Sequence, residues 1–111
     1  FRSELTIGYF TKHGDGGCDM LPLGSLLKCE VRDMSRELEI PEELITKAPS
    51  AGLWEGQTDE EEMGITYEEL DRIIARMDTG DFNPQTRTEE KVLAMKNCSE
   101  HKKNCPPIYC V

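Results

Sequence analysis

Glu4, Lys12, the turn His13-Gly-Asp-Gly-Gly17, Asp19 and Lys28 crowd carboxylates, cations and glycines into the first 28 residues. Together they are the means of holding an anionic ligand with Mg²⁺. That ion takes one or two carboxylates beside substrate phosphate oxygens, and lysine acts on phosphate as a point charge. By themselves the same residues also read as a solvated turn with charged flanks. A second cluster sits at the far end, where His101 lies among Cys98, Cys105 and Cys110. The spacing C-x6-C-x4-C lacks the close C-x2-C knuckle of tetrahedral zinc, so no zinc site is expected there. With Cys18 and Cys29 the cysteines number five. An odd set without a secretory signal reads as reduced thiols in a cytoplasmic protein.

Composition removes whole classes of function. Thirteen Lys and Arg stand against 22 Asp and Glu, a formal charge of −9 over 111 residues. That field repels a phosphate polymer, so nucleic acid is not an expected partner. Nor is a membrane, because no apolar run approaches the roughly 20 residues of a spanning helix. Phe1 is not a translational start and nothing resembles a signal peptide, so the chain is expected to be a piece of something longer.

Mostly helices must position these residues. Glu4 to Phe10 is apolar on most sides and reads equally as a strand or as the end of a buried helix. Gly14 to Gly17 is a firm break. Cys18 to Leu23 is a brief strand candidate that Pro22 must end. A helix is expected from an N-cap at Ser25, with Leu26, Leu27, Val31, Met34 and Leu38 near one face, and Pro41 stops it or opens a short one to Ile45. Residues 48–62 read as a mobile loop whose acidic run, Asp59 to Glu62, is solvated. The capping box Thr66-x-x-Glu69 starts a helix with Tyr67, Leu70, Ile74 and Met77 on its apolar stripe. A second box, Thr86 with Glu89, starts another that runs toward His101 and ends before Pro106-Pro107. Met34, Met63, Met77 and Met95 read as fillers of gaps in packing.

The order of these residues adds a resemblance. Arg2-Ser-Glu-Leu-Thr-Ile-Gly-Tyr-Phe-Thr-Lys-His-Gly-Asp-Gly-Gly-Cys-Asp-Met-Leu-Pro-Leu-Gly-Ser-Leu-Leu-Lys28 is similar to the second half of ammonia-dependent NAD synthetases. So are the stretch from Lys47 through Trp54 and Thr66 to Asp71, and the late Glu-His-Lys-Lys103. The resemblance implies an α/β fold of the adenine-nucleotide α-hydrolase type (N-type ATP pyrophosphatase), a parallel sheet flanked by helices. This stretch would be its mostly helical C-terminal part, in a cytoplasmic homodimer. It also implies a ligase that uses ATP and Mg²⁺ to adenylate the carboxylate of deamido-NAD, after which ammonia displaces AMP to give NAD. Carried over residue by residue, Glu4 matches a Mg²⁺ ligand, and Lys28 and Ser50 match ATP-site positions. Lys12, Asp19, His101 and Lys102 match positions that hold deamido-NAD. Residues 50–64, with the single Trp54, resemble a lid ordered over ATP.

Two features depart from the family pattern. The pyrophosphate loop Ser-Gly-Gly-x-Asp-Ser does not occur in these 111 residues, and Phe1 stands where the family usually has asparagine. The chain alone is therefore not expected to make NAD. Two other readings stay open: the synthetase domain of a glutamine-dependent form, and a non-catalytic acidic module whose helices dock on a partner.

Overall fold

Helices carry the whole framework of the structure, a computed structural model that describes residues 1–110. In chain order they are α1 (Arg2–Ile7), α2 (Lys28–Glu37), α3 (Glu42–Ile45), α4 (Asp59–Met63), α5 (Tyr67–Met77) and α6 (Arg87–Cys98), followed by a 3₁₀ turn, Glu100–Lys102. Among the described residues there is no strand. The opening segment, ambiguous in sequence, is a helix. Gly8 ends it in the left-handed region at φ 73, and its N–H returns to the Glu4 carbonyl. A Cβ on Gly8 would lie 2.1 Å from that of Ser99, so glycine is also what lets α6 approach α1.

The expected strand at Cys18–Leu23 does not form. Gly24 N–H bonds the Leu21 carbonyl and Leu26 N–H the Leu23 carbonyl, so the backbone around Pro22 closes into turns. The N-cap expected at Ser25 also moves, because Ser25 lies in those turns and α2 starts at Lys28 after Leu27. Its first N–H groups find acceptors elsewhere. Glu30 takes that of Leu27 at 2.7 Å, Ser3 that of Lys28 at 2.9 Å, and Asp71 that of Cys29 at 2.8 Å. Orphan donors at a helix start need such partners, and here two of three are supplied from other helices.

Residues 59–63 were expected within the loop but are helical. Thr58 accepts the Glu61 N–H, and Gly64 closes the far end at φ 64. Carboxylates in a first turn are favoured by the helix dipole, so an acidic run behind a threonine is a helix start. Thr66 caps α5 as expected, accepting from the Glu69 N–H, but the return half of the expected box is not formed; Glu60 of α4 instead takes the N–H of Tyr67 at 2.8 Å. The second box at Thr86 and Glu89 forms completely. Glu89 is in addition buried and paired with Arg76 of α5.

One cluster holds α1, α5 and α6 together: Ile7, Met63, Ile65, Tyr67, Leu70, Ile73, Ile74 and Val92. Met63 is buried, and Met77 and Met95 pack on the rim. Met34 instead stands 44% exposed and Leu38 67%, so the expected apolar face of α2 is uncovered over its C-terminal part, while Leu26, Leu27 and Val31 are partly buried. That helix buries none of its residues.

The end of α2 forms a Schellman motif, with Glu39 N–H on the Arg36 carbonyl and Ile40 N–H on that of Ser35. Such a motif needs a left-handed residue, and Glu39 occupies it at φ 57. Replacing Glu39 by glycine removes the Cβ clash and should stabilise the chain by about 1 kcal/mol. Urea unfolding of Glu39→Gly beside the parent measures this; an equal or lower midpoint contradicts it.

Candidate functional site

Tyr67 is the first residue of α5 and is fully buried. A buried phenol needs a partner for its hydroxyl. Two acceptors lie within reach of its one O–H, Glu4 Oε1 at 3.0 Å and Asp59 Oδ2 at 3.1 Å, so the hydroxyl stands between a carboxylate from α1 and another from α4. Over the same ring stands Lys28, its Nζ 4.9 Å from the centroid and 4.2 Å from that of Phe1. Glu4, Lys28, Asp59 and Tyr67 thus make one polar cluster. Burial pushes the Glu4 carboxyl above its ordinary range and the Lys28 ammonium below its own, each opposed in part by the charge of the other. The Tyr67 phenol is pushed up by burial and by both carboxylates.

Lys28 also lines a cavity of ≈ 300 Å³ between α2 and the segment after α3, together with Arg32, Lys47 and Ser50. The two residues matched to the ATP site therefore share one pocket. Its three cations are set in a chain of net charge −9, so positive charge is concentrated locally against the overall sign. Ser50 itself accepts the Gly52 N–H at 3.0 Å, which shapes the turn at the pocket edge. Two carboxylates converging on one hydroxyl beside such a pocket are the hard oxygen donors that suit Mg²⁺ shared with phosphate. No group of three or more His, Cys, Asp or Glu among the described residues could enclose a metal without such a substrate.

A second cavity of ≈ 340 Å³ lies against the turn after α1, bounded by Tyr9, Thr11, Asp15, Gln57, Glu62 and Lys102. Lys102 donates to the carbonyls of Gly8 and Phe10 at 2.8 and 2.9 Å, tying the 3₁₀ turn to the start of the glycine segment. Tyr9 donates to Glu62 at 2.5 Å, and Gln57 bonds the same carboxylate while accepting the Leu53 N–H. The segment after Ser50 is thereby hinged to the turn after α1. Of the residues matched to deamido-NAD, only Lys102 lines this cavity. Asp19 and His101 stand exposed, Lys12 is partly covered, and the structure does not bring these three into either pocket.

The solvated reading of the acidic run needs correction at its first residue. Asp59 is 7% exposed and bonded to both Tyr67 and Tyr9, whereas Glu61 and Glu62 are exposed. Ser3 and Asp71 were also missed, for their partners are 25 and 42 residues away in sequence. The five cysteines are free and exposed. No helix of the described residues is long and apolar enough to cross a membrane.

Residues 1–106 match the NAD synthase family. The chain belongs to that family. The NAD synthase relatives include an NH(3)-dependent NAD(+) synthetase from Carboxydothermus hydrogenoformans, 52% identical over 96% of this chain and 42% of its own. One from Archaeoglobus fulgidus is 50% identical over 96% of this chain and 43% of its own. A solved NMN synthetase from Francisella tularensis matches with a TM-score of 0.84 and 40% identity, covering 97% of this chain and 43% of that one. The chain thus spans less than half the length of these relatives.

The raised Glu4 carboxyl has a consequence for stability. A carboxyl that holds its proton more tightly when folded stabilises the chain below its unfolded value of 4.5 and loses that contribution as pH rises through the raised value. Glu4→Gln removes the group, so its unfolding midpoint should fall less than the parent's as pH rises from 4 toward 7. Urea titrations across that range measure the difference, and parallel curves for the two proteins contradict it.

Proposed function

We propose that this chain is the C-terminal part of an ATP-dependent amide ligase that makes NAD from deamido-NAD and ammonia. A preceding segment of the family length would supply the pyrophosphate loop and the parallel sheet of an adenine-nucleotide α-hydrolase-type fold. The observation that carries the proposal is the convergence of Glu4 and Lys28 on Tyr67, beside a pocket that also contains Ser50. A carboxylate is a poor acyl donor until one oxygen becomes a phosphate leaving group, so positioning and charge neutralisation are the main tasks.

In this scheme Lys28 steadies the ATP phosphates and Ser50 offers its hydroxyl at the pocket edge. Glu4, with Asp59 alongside, holds Mg²⁺, which when bound neutralises charge on the phosphates. The substrate carboxylate attacks the α-phosphorus and pyrophosphate leaves; ammonia then attacks the acyl carbon and AMP leaves. Lys12, Asp19, His101 and Lys102 hold deamido-NAD, with Lys102 also fixing the Gly8–Phe10 backbone on which the glycine segment turns. The exposed part of residues 50–64, which precedes the buried Gln57 and the packed helix α4, forms a lid that closes over ATP and excludes water. The assembly is a cytoplasmic homodimer.

The Francisella protein favours a second reading, in which the acceptor is the mononucleotide that NMN formation requires. Deamido-NAD and that mononucleotide present the same carboxylate, so the chemistry at Glu4 and Lys28 is common to both. The assay supplies the full-length protein with ATP, Mg²⁺, ammonium and either acceptor. Turnover with deamido-NAD, none with glutamine replacing ammonium, and none from the 111-residue chain alone are expected. Lys28→Ala should lower kcat/KM for ATP about 10- to 100-fold, the range for losing a charge-assisted phosphate contact. Glu4→Gln should weaken the dependence on Mg²⁺. No turnover by the full-length protein with either acceptor would instead support an acidic docking module, unchanged kinetics in both variants would remove Glu4 and Lys28 from the site, and preference for the mononucleotide would support the second reading.

A further inference from the structure

Ser3 is fully buried in α1 and Asp71 is 5% exposed in α5, yet neither belongs to the apolar cluster. Ser3 Oγ donates to Asp71 Oδ1 at 2.5 Å and accepts the backbone N–H of Lys28 at 2.9 Å. Asp71 Oδ2 takes the next N–H, that of Cys29, at 2.8 Å. Ser3 Oγ and Asp71 Oδ2 are therefore committed to the first turn of α2, while Asp71 Oδ1 ties the pair together. Just outside it, Arg2 N–H bonds the Leu26 carbonyl at 2.8 Å. The rest of α2 buries no residue, so this end is where the helix is anchored. Lys28 is the residue held, with its ammonium over the rings of Phe1 and Tyr67.

We propose that Ser3 and Asp71 are positioning residues for Lys28, a role that rests on the ATP reading of Lys28 given above. A long lysine side chain aims its charge accurately only if its Cα is fixed, because each uncertain backbone torsion is amplified over the chain to Nζ. Ser3 and Asp71 fix that Cα from two different helices. Asp71 also places a negative charge at the start of α2, where the helix dipole favours it. Neither side chain reaches the pocket lined by Lys28 and Ser50, so their effect on ATP passes through Lys28 alone.

A double-mutant cycle in the full-length protein separates this role from ordinary structural support. Asp71→Asn and Ser3→Ala are each made alone and with Lys28→Met, and steady-state kinetics are read for ATP and for deamido-NAD. The expected result is a loss of about tenfold in kcat/KM for ATP in each single variant, with KM for deamido-NAD within about twofold of the parent. In the Lys28→Met background neither substitution should lower it further. Losses that simply multiply, or that fall equally on both substrates, overturn the positioning role while leaving Lys28 in the ATP site. If Lys28→Met leaves the ATP kinetics unchanged, the ATP reading and the positioning role fail together. Thermal unfolding identifies a variant that does not fold; Ser3→Ala, which deletes one oxygen, then carries the cycle in place of Asp71→Asn.

Discussion

The hydroxyl of Tyr67 is the point on which this molecule turns. Its ring must be buried because α5 packs its apolar stripe against α1 and α6, and a buried phenol must donate. Two carboxylates, the partly buried Glu4 and the buried Asp59, lie within reach of its proton, and Lys28 over the ring offsets part of their charge. Charge that would be costly alone is tolerated because each member partners another. No buried side-chain nitrogen or oxygen among the described residues lacks a hydrogen bond. The packing of an ordinary helical core thereby assembles a polar cluster on its edge.

α2 reverses that logic. It carries Lys28 but contributes nothing to the buried core, and its outer face shows Met34 and Leu38 to solvent. Hydrogen bonds at one end do the work that burial does elsewhere. The lysines near the C-terminus act in a comparable way. Lys102 and Lys103 bond carbonyls at and just beyond the end of α1, and Lys91 bonds those of Met63 and Gly64 at the end of α4. Cations are favoured at helix C-termini, so several of the few positive charges in an acidic chain are spent on holding helix ends. Lys28, Arg32 and Lys47 are left facing the pocket.

Local signals were legible where they act over three or four residues. Thr66 and Thr86 announced α5 and α6, Pro41 announced α3, and the stripe of Tyr67, Leu70 and Ile74 announced the core. The same signature at Thr58 with Glu61 was hidden by glycine and acidic residues that read as loop, so α4 and the burial of Asp59 went unseen. Ser25 shows the opposite error. It had the chemistry of a cap, but it lies within the turns that follow Pro22, ahead of the helix start at Lys28, and the Lys28 and Cys29 N–H groups are taken by α1 and α5.

The sequence by itself determined the family, through the order of its motifs, and the helical character of this stretch, through spacing that is a property of the chain. It also set the net charge of −9. Tertiary structure alone decided which charges meet. Glu4 lies 63 residues from Tyr67, and Asp71 lies 42 from Cys29. No local periodicity encodes such pairs, because they exist only once α5 has packed its apolar face and forced every polar group buried with it to find a partner.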